Sequence, residues 1–578
     1  MKWSILGKPT VPKVATTPSW VLAWGNTDYL KQEVIWRESN LTLIQTHPHA
    51  SPPDFSRQDD CILIGEVWLS NRLHLLQRLG ISQNRWQGTD ADLIVQLWRR
   101  WGVEILPQLL GNYSFVLWHR EREELWLVRD KVGANTLYYT TTGSTRWISP
   151  QLRSLAPYHS RELNPVALRD YLCCAYVPGE QTLWQQVREL RPGTCLCLPD
   201  TQPKIYWQPQ ESITAPQQPR SWHSQRLRTL LEEVVRANLP PGEPVGVFLS
   251  GGLDSSCVTA LAAKFHNYPV HTYSIHFGAG CPNELEFSDR VAKHCRTQHH
   301  VLEISPEMMR SQLPQTMAEL DDPIGDPLTV PNLLLGRLAK ESTDIILNGE
   351  GGDPCFGGPK NQPMLLQQLY GLESDRVAAL LDAYLTSYKK CFPDLPKLFK
   401  PEVWQTVREE PSVFSPDLHG DAAYLNRLML LNIKFKGADH ILTKVNNLTK
   451  AAGLVGRSPL FDPRIVQLSL EIPPDYKLAG VEEKAVLKEA VADLLPPVII
   501  QRPKSGMMVP VQRWFRQEWQ RQARGLLLAK NAAIASYLNR NLIRDWINYR
   551  GDVWQRYGIK LWLLVSLEIW LRVNRNYP

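Results

Sequence analysis

Two patterns of apolar and polar positions divide the chain. Over residues 1–200, short β-like runs such as CILIGEVWL (61–69), YSFVLWH (113–119), ELWLVRD (124–130) and TLYYTT (136–141) are separated by turns. Two stretches, TDADLIVQLWRRWG (89–102) and NPVALRDYLCCAYV (164–177), carry helical spacing instead. Hairpin-rich strands with a few helices predict an α+β domain. Residues 199–221, PDTQPKIYWQPQESITAPQQPRS, are dense in Pro and Gln and aperiodic, which predicts a linker over 201–221.

Beyond the linker the pattern becomes strand, helix, strand, helix: VGVFL (245–249), SSCVTALAAKF (255–265), VHTYSIHF (270–277), EFSDRVAKHC (286–295) and HHVLEI (299–304). That alternation predicts an α/β domain with a parallel sheet over 222–578. A further apolar run, DIILN (344–348), leads into the glycine turn GEGGDPCFGG. From about residue 365 helical patterning dominates, predicting a helical C-terminal layer.

Composition narrows the function classes. A chain of 578 residues with 43% apolar and 21% charged positions is expected to be soluble and multi-domain. Its net charge of +6 is dispersed, so nothing argues for nucleic acid as partner. The tail IKLWLLVSLEIWLRV (559–573) is interrupted by Lys560 and Glu568 and reads as a buried amphipathic helix, not a membrane span. MKWSILGKPTVPK contains no apolar core of signal-peptide length. Ten cysteines without metal-site or framework spacing read as reduced thiols, so a cytoplasmic protein is expected.

The chemistry concentrates in two glycine turns at the ends of predicted strands. FLSGGLDSSCVTAL (248–261) puts Ser250, Gly251, Gly252, Asp254, Ser255 and Ser256 between a strand and a helix. Closely approaching backbone and a helix N-terminus make such a turn an anion site. A carboxylate beside a polyphosphate is repulsive without a cation between them, so Asp254 implies Mg²⁺, with Asp353 of the second turn as partner. The plainer reading of Asp254 is a helix cap.

SGGLDSS resembles the pyrophosphate loop of the ATP-pyrophosphatase superfamily, and the chain resembles the glutamine-dependent asparagine synthetases over nearly its whole length. LNGEGGDPCFGG, LDDPIGDPLTVPNLLLGRLA, RSPLFDPRIVQLSLEIPPDYKL and RPKSGMMVPVQRWF are similar to that family's synthetase blocks, and residues 89–139 to its glutaminase domain. The resemblance implies an Ntn-hydrolase-like front domain over 1–200, followed by an ATP-pyrophosphatase domain. It implies adenylation of a carboxylate by ATP and displacement of AMP by an amine. Ser250, Gly251, Gly252, Asp254, Ser255, Ser256, Gly349 and Gly351 would bind ATP and its pyrophosphate; Asp254 and Asp353 would hold Mg²⁺. Lys504 would neutralise the transferring phosphoryl group, and Glu350 would take the proton of the incoming nitrogen. Without the resemblance, Lys504 is a solvated loop lysine and Glu350 a turn acid.

The sequence departs from that family in two places. Where the glutaminase nucleophile, a cysteine at position 2, is expected, Lys2 stands; the Asn-Gly-Glu oxyanion motif reads Ile64-Gly65-Glu66. Glutamine hydrolysis is therefore not expected, and Gly65, Glu66 and Asp90 would remain as a vestigial glutamine pocket. The acid–base blocks near the substrate are replaced by Asn446-Asn447-Leu448-Thr449-Lys450 and Leu454-Val455-Gly456-Arg457. These departures favour a ring-closing amide synthetase of the lasso-peptide cyclase type over an ammonia-dependent asparagine synthetase. A non-catalytic nucleotide-binding scaffold is the reading from another class. The partner would be a small molecule or peptide bearing a carboxylate and an amine, with a substrate-presenting protein or a homodimer as further possibilities.

Overall fold

The computed structural model describes residues 20–25, 27, 34–46, 53–358, 377–480, 482–502, 506–551 and 556–575. The front domain contains strands β1 (Trp20–Trp24), β2 (Val34–Glu38), β3 (Leu41–Gln45), β4 (Asp54–Gln58), β5 (Cys61–Leu69), β6 (Gly111–His119), β7 (Glu124–Arg129), β8 (Tyr138–Thr142), β9 (Thr145–Ser149), β10 (Arg188–Glu189), β11 (Thr194–Leu198) and β12 (Lys204–Ile205). They form two antiparallel sheets, ordered β10-β8-β9-β1-β3-β2 and β12-β11-β7-β6-β5-β4. Alternating residues of facing strands, among them Leu22, Leu43, Ile62, Ile64, Val116 and Leu127, fill the space between the sheets. On the outer face of the second sheet packs the helix Asp90–Trp101, its apolar stripe buried against β5 and β6. Thr89 and Asp92 close its N-terminus as a reciprocal capping box. Strand β12 pairs with β11 inside the Pro/Gln-rich stretch, so the sheet runs to Ile205 before the chain crosses to the helix Arg220–Asn238.

The second domain is built on a parallel sheet of β13 (Val245–Phe248), β14 (Val270–His276), β15 (Gln298–Glu303), β16 (Ile345–Leu347) and β17 (Val455–Arg457), in the order β15-β14-β13-β16-β17. Strand β13 has β14 on one side and β16 on the other, so the winding reverses between β13 and β16. Open parallel sheets bind ligands outside the carboxyl ends of the strands at that reversal. Helices Leu253–Phe265 and Leu285–Cys295 cover the sheet.

Helical structure dominates after residue 377, with β17 and the short antiparallel pair Leu478–Ala479 and Glu482–Glu483 as exceptions. A single rod runs from Tyr424–Leu431 through the wider π-type turns of Asn432–Leu442 and back to α geometry in Thr443–Ala451. Such winding re-aims side chains. Here Asp439 reaches the front domain's Gly179 N–H and Arg191, whereas His440 and Lys444 face Asp326.

The two domains share one apolar core. Front-domain Tyr171, Cys173, Tyr176 and Trp184 pack with Trp562, Leu563 and Trp570 of the closing helix Tyr557–Arg575. Full burial of a leucine such as Leu563 contributes about 2 kcal/mol. The two charges that interrupt this helix are compensated internally. Lys560 Nζ lies 2.6 Å from Asp394, and Glu568 accepts from Ala533 N, Ile534 N and Arg572. No helix among the described residues is long and apolar enough to cross a membrane, and none of the ten cysteines forms a disulfide.

Candidate active site

A cavity of about 280 Å³ opens at the carboxyl ends of β13, β14 and β16. The first glycine turn closes one side. Ser250 N donates to Ser255 Oγ at 3.2 Å and Gly252 N to Ser250 Oγ at 3.3 Å, so the two hydroxyls hold the loop in place. Gly251 has φ +77°, and a Cβ there would stand 2.5 Å from Ser288 N. Only glycine fits.

The second glycine turn dovetails with the first. A Cβ on Gly349 would lie 2.4 Å from Ser255 N, and one on Gly352 would lie 2.2 Å from Asp254 Cγ. Ser250, Gly252, Asp254, Ser255, Gly349 and Glu350 all line the cavity. The structure thereby brings together residues almost a hundred positions apart in the chain. Ser256 instead points into the fold with no exposed surface, and Gly351 packs on Leu460; neither lines the cavity. Lys504 lies outside the described residues.

Asp254 and Asp353 meet across a lysine that the sequence reading missed. Lys484 Nζ is 2.5 Å from Asp254 Oδ2 and 2.6 Å from Asp353 Oδ1, and its side chain is only 3% exposed. Burial works to lower its pKa, but the Asp254 and Asp353 carboxylates outweigh burial and hold the ammonium above its ordinary value. Lys484 itself adopts φ +55°, a conformation few side chains accept, at the start of Ala485–Ala490. Two carboxylates thus converge on one ammonium at the edge of the cavity. Asp254 Oδ1 is buried without a hydrogen-bond partner. Convergent hard oxygen donors of this kind fit a magnesium ion.

Three more cations border the cavity. Arg502 donates to Gly251 O and pairs with Glu284 at 2.5 Å, its guanidinium stacked 3.8 Å over Phe287, which clamps the first turn from outside. Lys444 sits 2.7 Å from Asp326 on the opposite wall; burial alone would lower its pKa, but Asp326 and then Glu350 hold it above the usual value. Lys488 completes the lining. Beside Lys444, burial depresses His440 to about 4.

The front-domain pocket residues are fully engaged within the protein. Ile64 is buried between the sheets. Gly65 leaves no room for a Cβ, which would lie 2.4 Å from Ser114 O. Asp90 accepts from Leu69 N at 2.9 Å and Arg72 Nε at 2.6 Å, while Glu66 pairs with Lys450 of the second domain. The altered block at 454–457 forms β17. Val455 is half exposed and stands away from the cavity, whereas Arg457 crosses to the ring of Trp68 at 4.2 Å.

Comparison with known proteins agrees with this architecture. The chain is 23% identical over 574 residues to asparagine synthetase [glutamine-hydrolyzing] 1 of Bacillus subtilis, covering 92% of this chain and 89% of the relative. It is 22% identical over 541 residues to the amidase chyE of Penicillium rubens, covering 80% and 79%. Among solved structures, glutamine phosphoribosylpyrophosphate amidotransferase from B. subtilis aligns over 64% of this chain and 87% of its own at 11% identity, with a TM-score of 0.23 that carries no weight. Residues 25–207 match the model of the glutamine amidotransferase domain. Residues 226–572 match the asparagine synthase model, and the chain belongs to the asparagine synthase family.

Proposed function

We propose that the protein forms amide bonds at the expense of ATP, by adenylating a carboxylate and passing the acyl group to an amine, without hydrolysing glutamine. The observation that supports this most is Lys484, which lines one cavity with Asp254 and Glu350 and joins Asp254 to Asp353 behind it. The Ser250–Ser255 turn binds the pyrophosphate end of ATP, with Gly349 shaping the floor. Asp254 and Asp353 would hold a magnesium ion, which would supply neutralising charge to the phosphate oxygens. A carboxylate oxygen attacks the α-phosphorus, and the bond from that phosphorus to the bridging oxygen breaks to release pyrophosphate. Lys484 and Lys504 offset the charge that develops on the leaving group. The amine nitrogen then attacks the acyl carbon, Glu350 accepts its proton, and AMP departs with the electron pair of the C–O bond.

Ile64 supports the absence of glutaminase chemistry. An alkyl side chain between two sheets offers no donor to an oxyanion. Of the altered blocks, Leu448 and Thr449 line the cavity, whereas Asn446, Asn447 and Val455 do not. Lys2 in place of the cysteine nucleophile, together with this uncharged lining, favours a substrate other than free aspartate, and among these a peptide closed on itself by its own amine, as in the lasso-peptide cyclases. An ammonia-dependent asparagine synthetase is the second reading, supported by the asparagine synthetase relatives. Pyrophosphate release with Mg-ATP separates the two. Release with aspartate and ammonia, with asparagine formed, selects the synthetase. Release only with a substrate carrying both acid and amine selects the cyclase.

A further inference from the structure

The ion pair between Glu66 and Lys450 joins the two domains, and both ends of it are informative. Around Glu66 the front domain gathers two further carboxylates, Asp54 and Asp90. Asp54 has its pKa raised by burial and by the neighbouring charges of Glu66 and Asp90. Arg72 neutralises Asp90. The cation on Glu66 comes from the other domain, as Lys450. With that ammonium in place, the Glu66 carboxylate is no longer open to an ammonium-bearing ligand such as a free amino acid.

Lys450 belongs to the helix Thr443–Ala451, which has two working faces. Lys444, Val445, Leu448 and Thr449, spaced to share one side of a helix, line the catalytic cavity. Asn447 and Lys450, three residues apart, lie on the opposite side. Asn447 Nδ2 donates to Asp321 Oδ2 at 2.8 Å, and the other oxygen of Asp321 accepts from front-domain Leu152 N at 2.9 Å. One face of the helix is thus pinned to the front domain at two points, while the other forms a wall of the cavity.

We infer that Glu66 is a positioning residue for the synthetase site: through Lys450 it fixes the helix that carries Lys444 and Thr449 to the cavity. The front domain is thereby part of the catalytic frame, its old ligand pocket filled by a side chain of the partner domain. This deepens the ATP-dependent reading and rests on it for one of its two readouts.

The test uses the full chain with Glu66→Gln, Lys450→Met, and the exchanged pair Glu66→Lys with Lys450→Glu. Amide hydrogen exchange over 443–451 and the Mg-ATP dissociation constant are measured for each. Either single change is expected to speed exchange in that segment and weaken Mg-ATP several-fold, and the exchanged pair to recover both, a rescue that loss of bulk packing would not produce. Unchanged exchange and affinity in Glu66→Gln, or an exchanged pair no better than the singles, would overturn the inference. A wild type that binds no Mg-ATP, with exchange responding as described, would instead remove the ATP reading and leave the positioning role.

Discussion

Lys484 Nζ and Asp254 Oδ2 stand 2.5 Å apart at the meeting point of the two glycine turns, although 230 positions separate them in the chain. That contact ties the start of the helix Leu253–Phe265 to the late C-terminal segment, and the second carboxylate, Asp353, closes the group. Removing the ammonium takes the shared cation away from two facing carboxylates. Lys484→Met should cost about 2–3 kcal/mol of stability, a value reduced because Asp353 is partly exposed. Millimolar Mg²⁺ should raise the melting temperature of the variant more than that of the wild type, since a divalent ion replaces the lost charge. Equal responses to Mg²⁺ in calorimetric melts would contradict the assignment of the two acids to a cation.

The dovetail of the two turns makes a second prediction. Gly352→Ala drives a methyl group into the Asp254 carboxylate, and Gly349→Ala drives one into the Ser255 backbone. Either change should weaken Mg-ATP at least about tenfold, which corresponds to ~1.4 kcal/mol. Far-ultraviolet circular dichroism should stay at the wild-type signal, because the turns lie at strand ends and outside the sheet core. Retained affinity in both variants would show that the turns do not meet over the nucleotide.

Acid stability offers a third. His440 is buried beside Asp326, Lys444 and Lys436, and desolvation depresses it from the usual 6.5 to about 4. The unfolded chain therefore binds a proton that the folded chain refuses between those values. Stability attributable to this group is complete above about 6.5 and falls by up to ~3 kcal/mol as the pH drops toward 4. His440→Asn should flatten that part of the profile in denaturant titrations run from pH 7 to 4. The same slope in variant and wild type would assign the acid sensitivity to other groups.

Much of the frame was legible because it rests on short-range patterning. Short apolar runs such as 61–69 and 113–119 form paired strands, and the Gly-rich turns after Val245–Phe248 and Ile345–Leu347 sit where strand-end geometry requires. The amphipathic tail with Lys560 and Glu568 is a buried helix whose charges find partners, although its sequence does not name them. Lys484 was not legible: nothing in its local pattern separates it from a surface lysine, and only the need for a cation between two acids could have pointed to one. In the sequence, Lys450 is one member of the altered block 446–450. Its pairing with Glu66, nearly four hundred residues away, is a product of domain packing that no local spacing encodes. Strand β17 escaped notice because three residues, one of them glycine, carry no periodicity.

In the proposed function, the first glycine turn holds the phosphate end of ATP through a cation on Asp254. The most direct test is an isothermal titration of Mg-ATP into the wild type and into Asp254→Asn, a change that keeps size and removes charge. Saturable one-site binding is expected in the wild type and is lost in the variant and in the wild type without Mg²⁺. Equal binding to both proteins, or binding that is indifferent to Mg²⁺, would contradict it.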